Sequence, residues 1–321
     1  MPSHRPGLRS VESQLPSFHG CLSKSRRILA VCGAGLSASS GLPTFRGAGG
    51  LWRTHVSQEL ATPGAFRRDP GLVWQFYSYR RHVALNVEPN PAHYALAELA
   101  RRVPGFLALT QNVDGLSPRA GHPEASLLLL HGSLFDVACT HIACGYRGVD
   151  YVDPIVPSLA IPRGGQDPTS IESRKAHAGQ THDNEQLVEL DISREDVHLP
   201  SVALEDLPAC PKCRTYLLRP GVVWFGESLP EDVLNAADAY VESGEPIDIV
   251  MVIGTSARVW PAAGYIDEAR AKGARVCIIN MDADDTPAAG WSKRDWFFVG
   301  DAAELMPKLL SPIIGEVPAQ Q

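Results

Sequence analysis

Apolar residues fall in short unbroken runs at 28–32, 106–109, 127–130, 249–253, 276–279 (after Arg275) and 296–299. Runs of this length, bounded by glycine and polar residues, predict strands buried on both faces. Before, between and after them lie longer segments that predict helices at 18–27, 71–85, 231–243 and 261–272, with a last one after Ala302. Asp69-Pro70 and Asn90-Pro91 each supply a capping side chain followed by proline at the first helical position. The helix opened by Asn90 should stop at Val103-Pro104-Gly105. Alternating strands and helices predict an α/β fold, a doubly wound parallel sheet of Rossmann-like type.

The polar residues that end these strands carry the candidate chemistry. After 28–32 comes Gly33-Ala34-Gly35, then Ser37, Ser39 and Ser40. Glycines allow a sharp turn and close approach of a ligand, and a helix start beside them favours a diphosphate. The spacing of Gly33, Gly35 and Gly41 is G-x-G-x5-G, not the usual dinucleotide fingerprint, and a plain tight turn fits about as well. Thr44, Phe45 and Arg46 follow in a loop bounded by glycine and proline, where a cation and a ring can grip a phosphate and cover a flat base. The second strand ends in Gln111-Asn112-Val113-Asp114, able to hydrogen-bond a carboxamide and ribose hydroxyls, or to cap a turn. The third ends in His131, structural or a general base. In the helix over 71–85, Tyr77 and Arg80 share a face. Spacing alone favours a core aromatic beside a solvated arginine, although the two together can hold a carboxylate.

Four of the seven cysteines form two close pairs, Cys139/Cys144 and Cys210/Cys213. Such pairs predict one closed structural zinc site, with His141 as a lesser alternative ligand. Cys32 and Cys277 lie in strand-like runs and read as buried thiols, so a reducing, intracellular setting is expected. The mitochondrion, cytoplasm and nucleus all remain open. Arg5 and Arg9 faintly suggest a presequence, but a plain tail fits better.

The chain has 321 residues and a net charge of -7. That argues against nucleic acid as the main partner. No apolar run is long enough to span a membrane, and a monomer is expected. The expected division is a tail at 1–16, a dinucleotide domain at 17–137 and 222–312 with a helical insertion at 54–104, a zinc domain at 138–221, and a tail at 313–321. Residues 162–198 are polar and lack periodicity, so they read as an insertion, partly without fixed structure.

The string from Ile28 to Gly47, together with 110–116, Leu130-His131-Gly132-Ser133, the cysteine pairs and 222–227, closely resembles the sirtuins, NAD-dependent protein deacylases. The likeness uses at least six motifs in order across nearly the whole chain. Two departures are Ser117, where many sirtuins have histidine, and the wide Cys139/Cys144 spacing. The resemblance implies that Trp52 and the loop from Gly33 to Arg46 bind NAD. It places Gln111, Asn112, Val113 and Asp114 at the nicotinamide end, and Gly254, Thr255, Ser256, Asn280, Met281, Asp282, Asp301 and Ala302 around the adenosine. It implies that the acyl oxygen of a modified lysine attacks the anomeric carbon of the nicotinamide ribose, releasing nicotinamide, and that His131 takes a proton from a ribose hydroxyl, which drives attack on the imidate intermediate. Water then gives free lysine and 2′-O-acyl-ADP-ribose. Val223, Trp224, Phe225, Gly226 and Glu227 are implied to pair as a strand with the substrate peptide. The segment around Tyr77 and Arg80, with Ala61, resembles class III sirtuins, in which this pair binds succinyl, malonyl or glutaryl groups. A protein ADP-ribosyltransferase on the same scaffold, or a non-enzymatic NAD or zinc module, is the alternative. A hydride-transferring dehydrogenase fits worse.

Overall fold

The computed structural model describes residues 9–44, 50–164, 188–256, 260–283, 292 and 294–315. Phe45 and Arg46, and residues 165–187 of the polar insertion, lie outside them.

The chain opens with helix α1, Val11–Leu22, capped by Ser10, whose hydroxyl accepts the Ser13 N–H. The helix therefore starts well before residue 18 and takes in Val11 to Pro16 of the segment expected as a tail over 1–16. Pro16 sits inside it, and Gln14 is buried. Strands β1 (Arg27–Cys32), β2 (Gly105–Thr110) and β3 (Leu127–Leu129) follow, with helices α2 (Pro70–Leu85) and α3 (Pro91–Arg102) between the first two. An antiparallel trio comes next: β4 (Gly132–Cys139), β5 (Arg147–Val149) and β6 (Leu218–Val222). The chain closes with α4 (Glu231–Glu242), β7 (Ile249–Ile253), α5 (Ala262–Ala271), β8 (Arg275–Asn280), β9 (Trp296–Val299) and α6 (Ala302–Ile314).

The main sheet is parallel, in the order β9-β8-β7-β1-β2-β3. The chain leaves β1 first toward β2 and β3, then returns to β7 on its other side. Strand order thus reverses between β1 and β7, and a ligand crevice opens beyond the strand ends at such a point. Alternate side chains serve opposite faces. Ile28, Ala30, Met251 and Cys277 pack with Phe18 of α1, Leu96 and Leu99 of α3, and Met306 and Leu309 of α6. Leu29, Val31, Val250 and Ile278 pack with Val241 of α4 and Ile266 of α5. The exposed edge at β9 is closed by one side chain. Gln14 donates to Phe297 O (2.8 Å) and accepts from Phe297 N (3.0 Å), standing in for a missing strand.

A separate core joins α2 to the antiparallel trio. Trp74, Phe76 and Tyr77 pack with Phe135, Val137, Leu218 and Trp224, and the Trp74 indole donates to Leu218 O (2.9 Å). Two expectations change as a result. The insertion over 54–104 runs too far, because α3 belongs to the main sheet's core. And β6, read from sequence as leading back into the main sheet, pairs with β4 instead. The end of the polar insertion is also structured. Val188–Glu189 pairs with Arg163–Gly164, Ile192 is buried, and Tyr79 of α2 donates to Asp191 (3.2 Å).

Candidate functional site

The glycines that end β1 face protein. A Cβ on Gly33 would lie 2.5 Å from Thr255 Cβ, and one on Gly35 would lie 2.6 Å from Gly254 Cα. Gly254 has φ +58° and meets Gly35 equally closely. These three residues let the β1 and β7 loops touch across the strand-order reversal, a backbone contact that side chains forbid. Ala34 then faces the crevice, where it lines a cavity of about 60 Å³ with Ser37, Arg80, Asn112, Asp114 and Leu134. Thr255 hydroxyl donates to Gln111 Oε1 (3.0 Å), and Asn280 Nδ2 donates to Thr255 O (3.2 Å). Asp301 caps α6 through Ala303 N (2.8 Å) and accepts from Ser39. Ser256 is half-buried, Ala302 is buried, and Met281 and Asp282 are exposed beyond β8. Thr44 is half-buried and Val113 buried. The Trp52 indole N–H is buried and, among the described residues, meets no acceptor.

Four polar side chains form one network on the cavity wall. Asn112 Nδ2 donates to Gly33 O (3.0 Å) and Ser37 Oγ (3.2 Å), and Ser37 donates to Asp114 Oδ2 (2.7 Å). His93 completes it. Its Nδ1 accepts from Asn90 N (3.2 Å), so its proton sits on Nε2, 3.3 Å from Ser37 Oγ. Burial pulls the His93 pKa down to about 4, against the opposing charge of Asp114. This imidazole is neutral. His131 Nδ1 lies 3.0 Å from the backbone oxygen of Gln111, a cavity-lining residue. A carbonyl only accepts, so Nδ1 carries the proton and Nε2 keeps its lone pair. Burial lowers the His131 pKa, partly offset by that hydrogen bond.

Beside this cavity, which α2 lines with Tyr79, Arg80, Val83 and Ala84, the same helix packs against the turn after β6. Tyr77 is fully buried, and its oxygen accepts from Trp224 Nε1 (3.0 Å). Arg80 lies beside it, its guanidinium carbon 5.9 Å from the Tyr77 ring and 5.5 Å from the Phe76 ring. Burial lowers the Arg80 pKa, while Tyr77 and Asp114 support its charge. Ala61 is buried, and its carbonyl accepts from Phe225 N (2.9 Å), while Val223 N donates to His131 O (2.9 Å). Within residues 223–227, implied to pair with a substrate peptide, Phe225 and Gly226 form a turn: Glu227 N donates to Trp224 O (3.0 Å) and Gly226 has φ +88°. Phe225 is exposed there.

The four paired cysteines converge. Their sulfurs all lie within 4.8 Å of one another, with Cys139 to Cys213 at 3.7 Å and Cys144 to Cys210 at 3.8 Å. A tetrahedron of zinc–sulfur bonds of about 2.3 Å has edges of about 3.8 Å, so the group fits one zinc with no open position. His141 is not among the ligands. Its ring stacks on Tyr216, with centroids 4.3 Å apart, and only its backbone N–H reaches Cys139 Sγ (3.4 Å).

A model of the Sir2 family matches residues 33–261. This chain belongs to the Sir2 family. A Candida albicans protein named NAD-dependent protein deacylase is 46% identical over 310 residues, covering 96% of this chain and 100% of its own. The dog protein named NAD-dependent protein deacylase sirtuin-5, mitochondrial, is 38% identical, covering 96% and 88%. The crystal structure of a Sir2 homolog–NAD complex superposes with a TM-score of 0.70 at 35% identity, over 97% of this chain and 96% of that one.

In this sirtuin three residues of the site escaped the sequence reading. His93 stands three residues after the Asn90 cap, where a capping-box partner belongs, and that spacing was its available signal. Arg81, 1% exposed, donates to Leu134 O (2.9 Å), Asp150 O (2.9 Å) and Val152 O (3.1 Å), tying α2 to β4. Arg219 grips Glu227 and lies flat on Trp224. Neither arginine has a sequence signal that sets it apart from a solvated one.

Proposed function

We propose that the acyl groups this NAD-dependent protein deacylase removes best from lysine are short and acidic: succinyl, malonyl and glutaryl. One observation carries the preference. The Tyr77 oxygen accepts from the Trp224 indole, which can only donate. The phenol proton must therefore go elsewhere, and among the described residues it meets no acceptor. Beside it stands Arg80, another donor-only group, its charge partly desolvated. A buried carboxylate needs such donors, and charge-assisted hydrogen bonds make the match strong. An acetyl group lacks the distal carboxylate these donors suit. Ala61 leaves room next to them.

The buried Trp52 N–H, which meets no acceptor among the described residues, and the polar crevice at the strand-order reversal suit a dinucleotide. Ala34, Gln111, Asn112 and Asp114 would hold the nicotinamide and its ribose. Thr255, Ser256, Asn280, Met281, Asp282 and Ala302 would hold the adenosine half. When bound, NAD supplies a ribose carbon activated by a cationic leaving group. His131 Nε2, its lone pair fixed by the Gln111 hydrogen bond, accepts a proton from a hydroxyl at that ribose. Asn112 and Asp114, held by Ser37 and His93, keep the cavity wall in place.

Arg80→Met tests the preference. It should lower kcat/KM for a succinyl-lysine peptide by about 30-fold, the scale of one charged hydrogen-bond pair, and lower it far less for the acetyl-lysine peptide. Equal loss on both peptides would refute the reading.

A further inference from the structure

The Tyr77 hydroxyl is aimed by Trp224, and Trp224 is itself held by a pair of charged side chains. The Arg219 guanidinium carbon lies 3.5 Å from the Trp224 ring centroid, stacked on its face. Its Nη2 donates to Glu227 Oε2 (2.9 Å) and to Val222 O (3.1 Å), and its Nη1 binds the other carboxylate oxygen. Glu227 Oε2 also accepts the Trp224 backbone N–H (2.8 Å). The indole is thus fixed on its face by the cation and at its backbone by the anion. Its own N–H reaches Tyr77 O at 3.0 Å. Phe66 packs at 5.3 Å from the Trp224 ring.

We infer that Arg219 and Glu227 are positioning residues for acyl selectivity: they lock the Trp224 indole so that it directs the Tyr77 phenol proton at the substrate's acyl carboxylate. The inference rests on the acidic-acyl reading above. Neither charge reaches the acyl group. Each acts through the indole, whose N–H decides which way the phenol can donate. If Trp224 turned, Tyr77 would be free to point its proton away. A planar, bidentate fork is needed for this, because lysine cannot both stack on the ring and bridge two carboxylate oxygens.

The test compares matched succinyl-lysine and acetyl-lysine peptides with zinc-loaded full-length enzyme. In Arg219→Met the ratio of kcat/KM for succinyl over acetyl should fall about ten-fold, mostly through KM for the succinyl peptide, the scale of one misdirected hydrogen bond. Arg219→Lys should not restore it. Trp224→Phe, which removes the indole N–H, should lower the ratio similarly, and the double variant should lower it no further. If Arg219→Met proves unstable in a thermal melt, Glu227→Gln supplies the same reading. An unchanged ratio in a folded variant, or additive losses in the double variant, overturns the inference. Arg80→Met in the same assay separates the two claims. If it abolishes succinyl preference while Arg219→Met does not, the clamp fails and the acyl reading stands. If Arg80→Met leaves the preference intact, both fall.

Discussion

Two buried histidines should make this protein sensitive to mild acid. His93 is 1% exposed and His122 is 7% exposed. Burial lowers each pKa from an ordinary 6.5 to about 4. For His93 the charge of Asp114, and for His122 the hydrogen bond to Ser126 O, oppose this without reversing it. The unfolded chain therefore takes up protons first as pH falls. The stability these groups allow is complete above about pH 6.5 and is lost progressively down to about pH 4. At pH 5 an unfolded histidine is nearly all protonated, and a native one with a pKa of about 4 is about a tenth protonated. The difference is worth roughly 2 kcal/mol per residue, or about 4 kcal/mol for both. A domain stable by about 5–15 kcal/mol feels that loss. Urea unfolding at pH 7.5 and 5.0 measures it. His93→Gln keeps a capping-box partner for Asn90, and His122→Gln keeps a donor for Ser126. In each, the fall in stability between the two pH values should shrink by about 2 kcal/mol relative to wild type. Acid release of zinc affects all the proteins alike and cancels in the comparison. A fall that stays the same within about 0.5 kcal/mol would show that these imidazoles are not held neutral by burial.

Two further outcomes follow from the same geometry. Removing zinc with a chelator, or by Cys210→Ser, should lower the metal content from one ion per chain and abolish both the cooperative thermal transition and deacylation, because binding energy in such sites is folding energy; an apo-protein with an unchanged melt would contradict it. The acid limb of the kcat/KM profile should lie below the ordinary histidine value of about 6.5, since burial lowers the His131 pKa, and His131→Gln should cost about 10²–10⁴ in rate; a limb above 6.5 would remove His131 as the group observed.

Where one local signal dominates, the sequence is legible. Ile249–Ile253 and Trp296–Val299 match their apolar runs residue for residue, because both faces of those strands are covered. Asp69 and Asn90 cap helices as their Pro neighbours predict. The zinc ligands follow from two cysteine pairs. What hydropathy does not carry is which sheet a strand joins. Leu218–Val222 reads like any returning strand, yet its partner is β4, a choice made by Trp74, Phe135 and Trp224 packed around it. The start of α1 is hidden by Pro16 and by a glutamine that is buried, bonded to Arg9 O close by and to both backbone groups of residue 297 far along the chain. Gly33 and Gly35 were legible as special positions but for an incomplete reason: their small size is demanded by Gly254 and Thr255 as well as by any ligand.

The zinc group and His131 are joined by one strand. His131 immediately precedes Gly132–Cys139, and Cys139 ends that strand as a cysteine of the cluster. Eight residues of strand span roughly 27 Å, so zinc at that end cannot polarise anything at the other. It can still set where the strand lies. The far end of β4 is fixed by the cysteine group, its middle by Arg81 reaching Leu134 O from α2, and its near end by Val223 N on His131 O. The same helix α2 carries Tyr77 and Arg80. A shift of the cysteine end therefore moves His131 and the Tyr77–Arg80 face together, relative to the Asn112 and Ser37 wall held by the main sheet. That is a physical reason for a structural metal in an enzyme whose chemistry does not use one: it holds in register the half of the site that the dinucleotide fold does not supply.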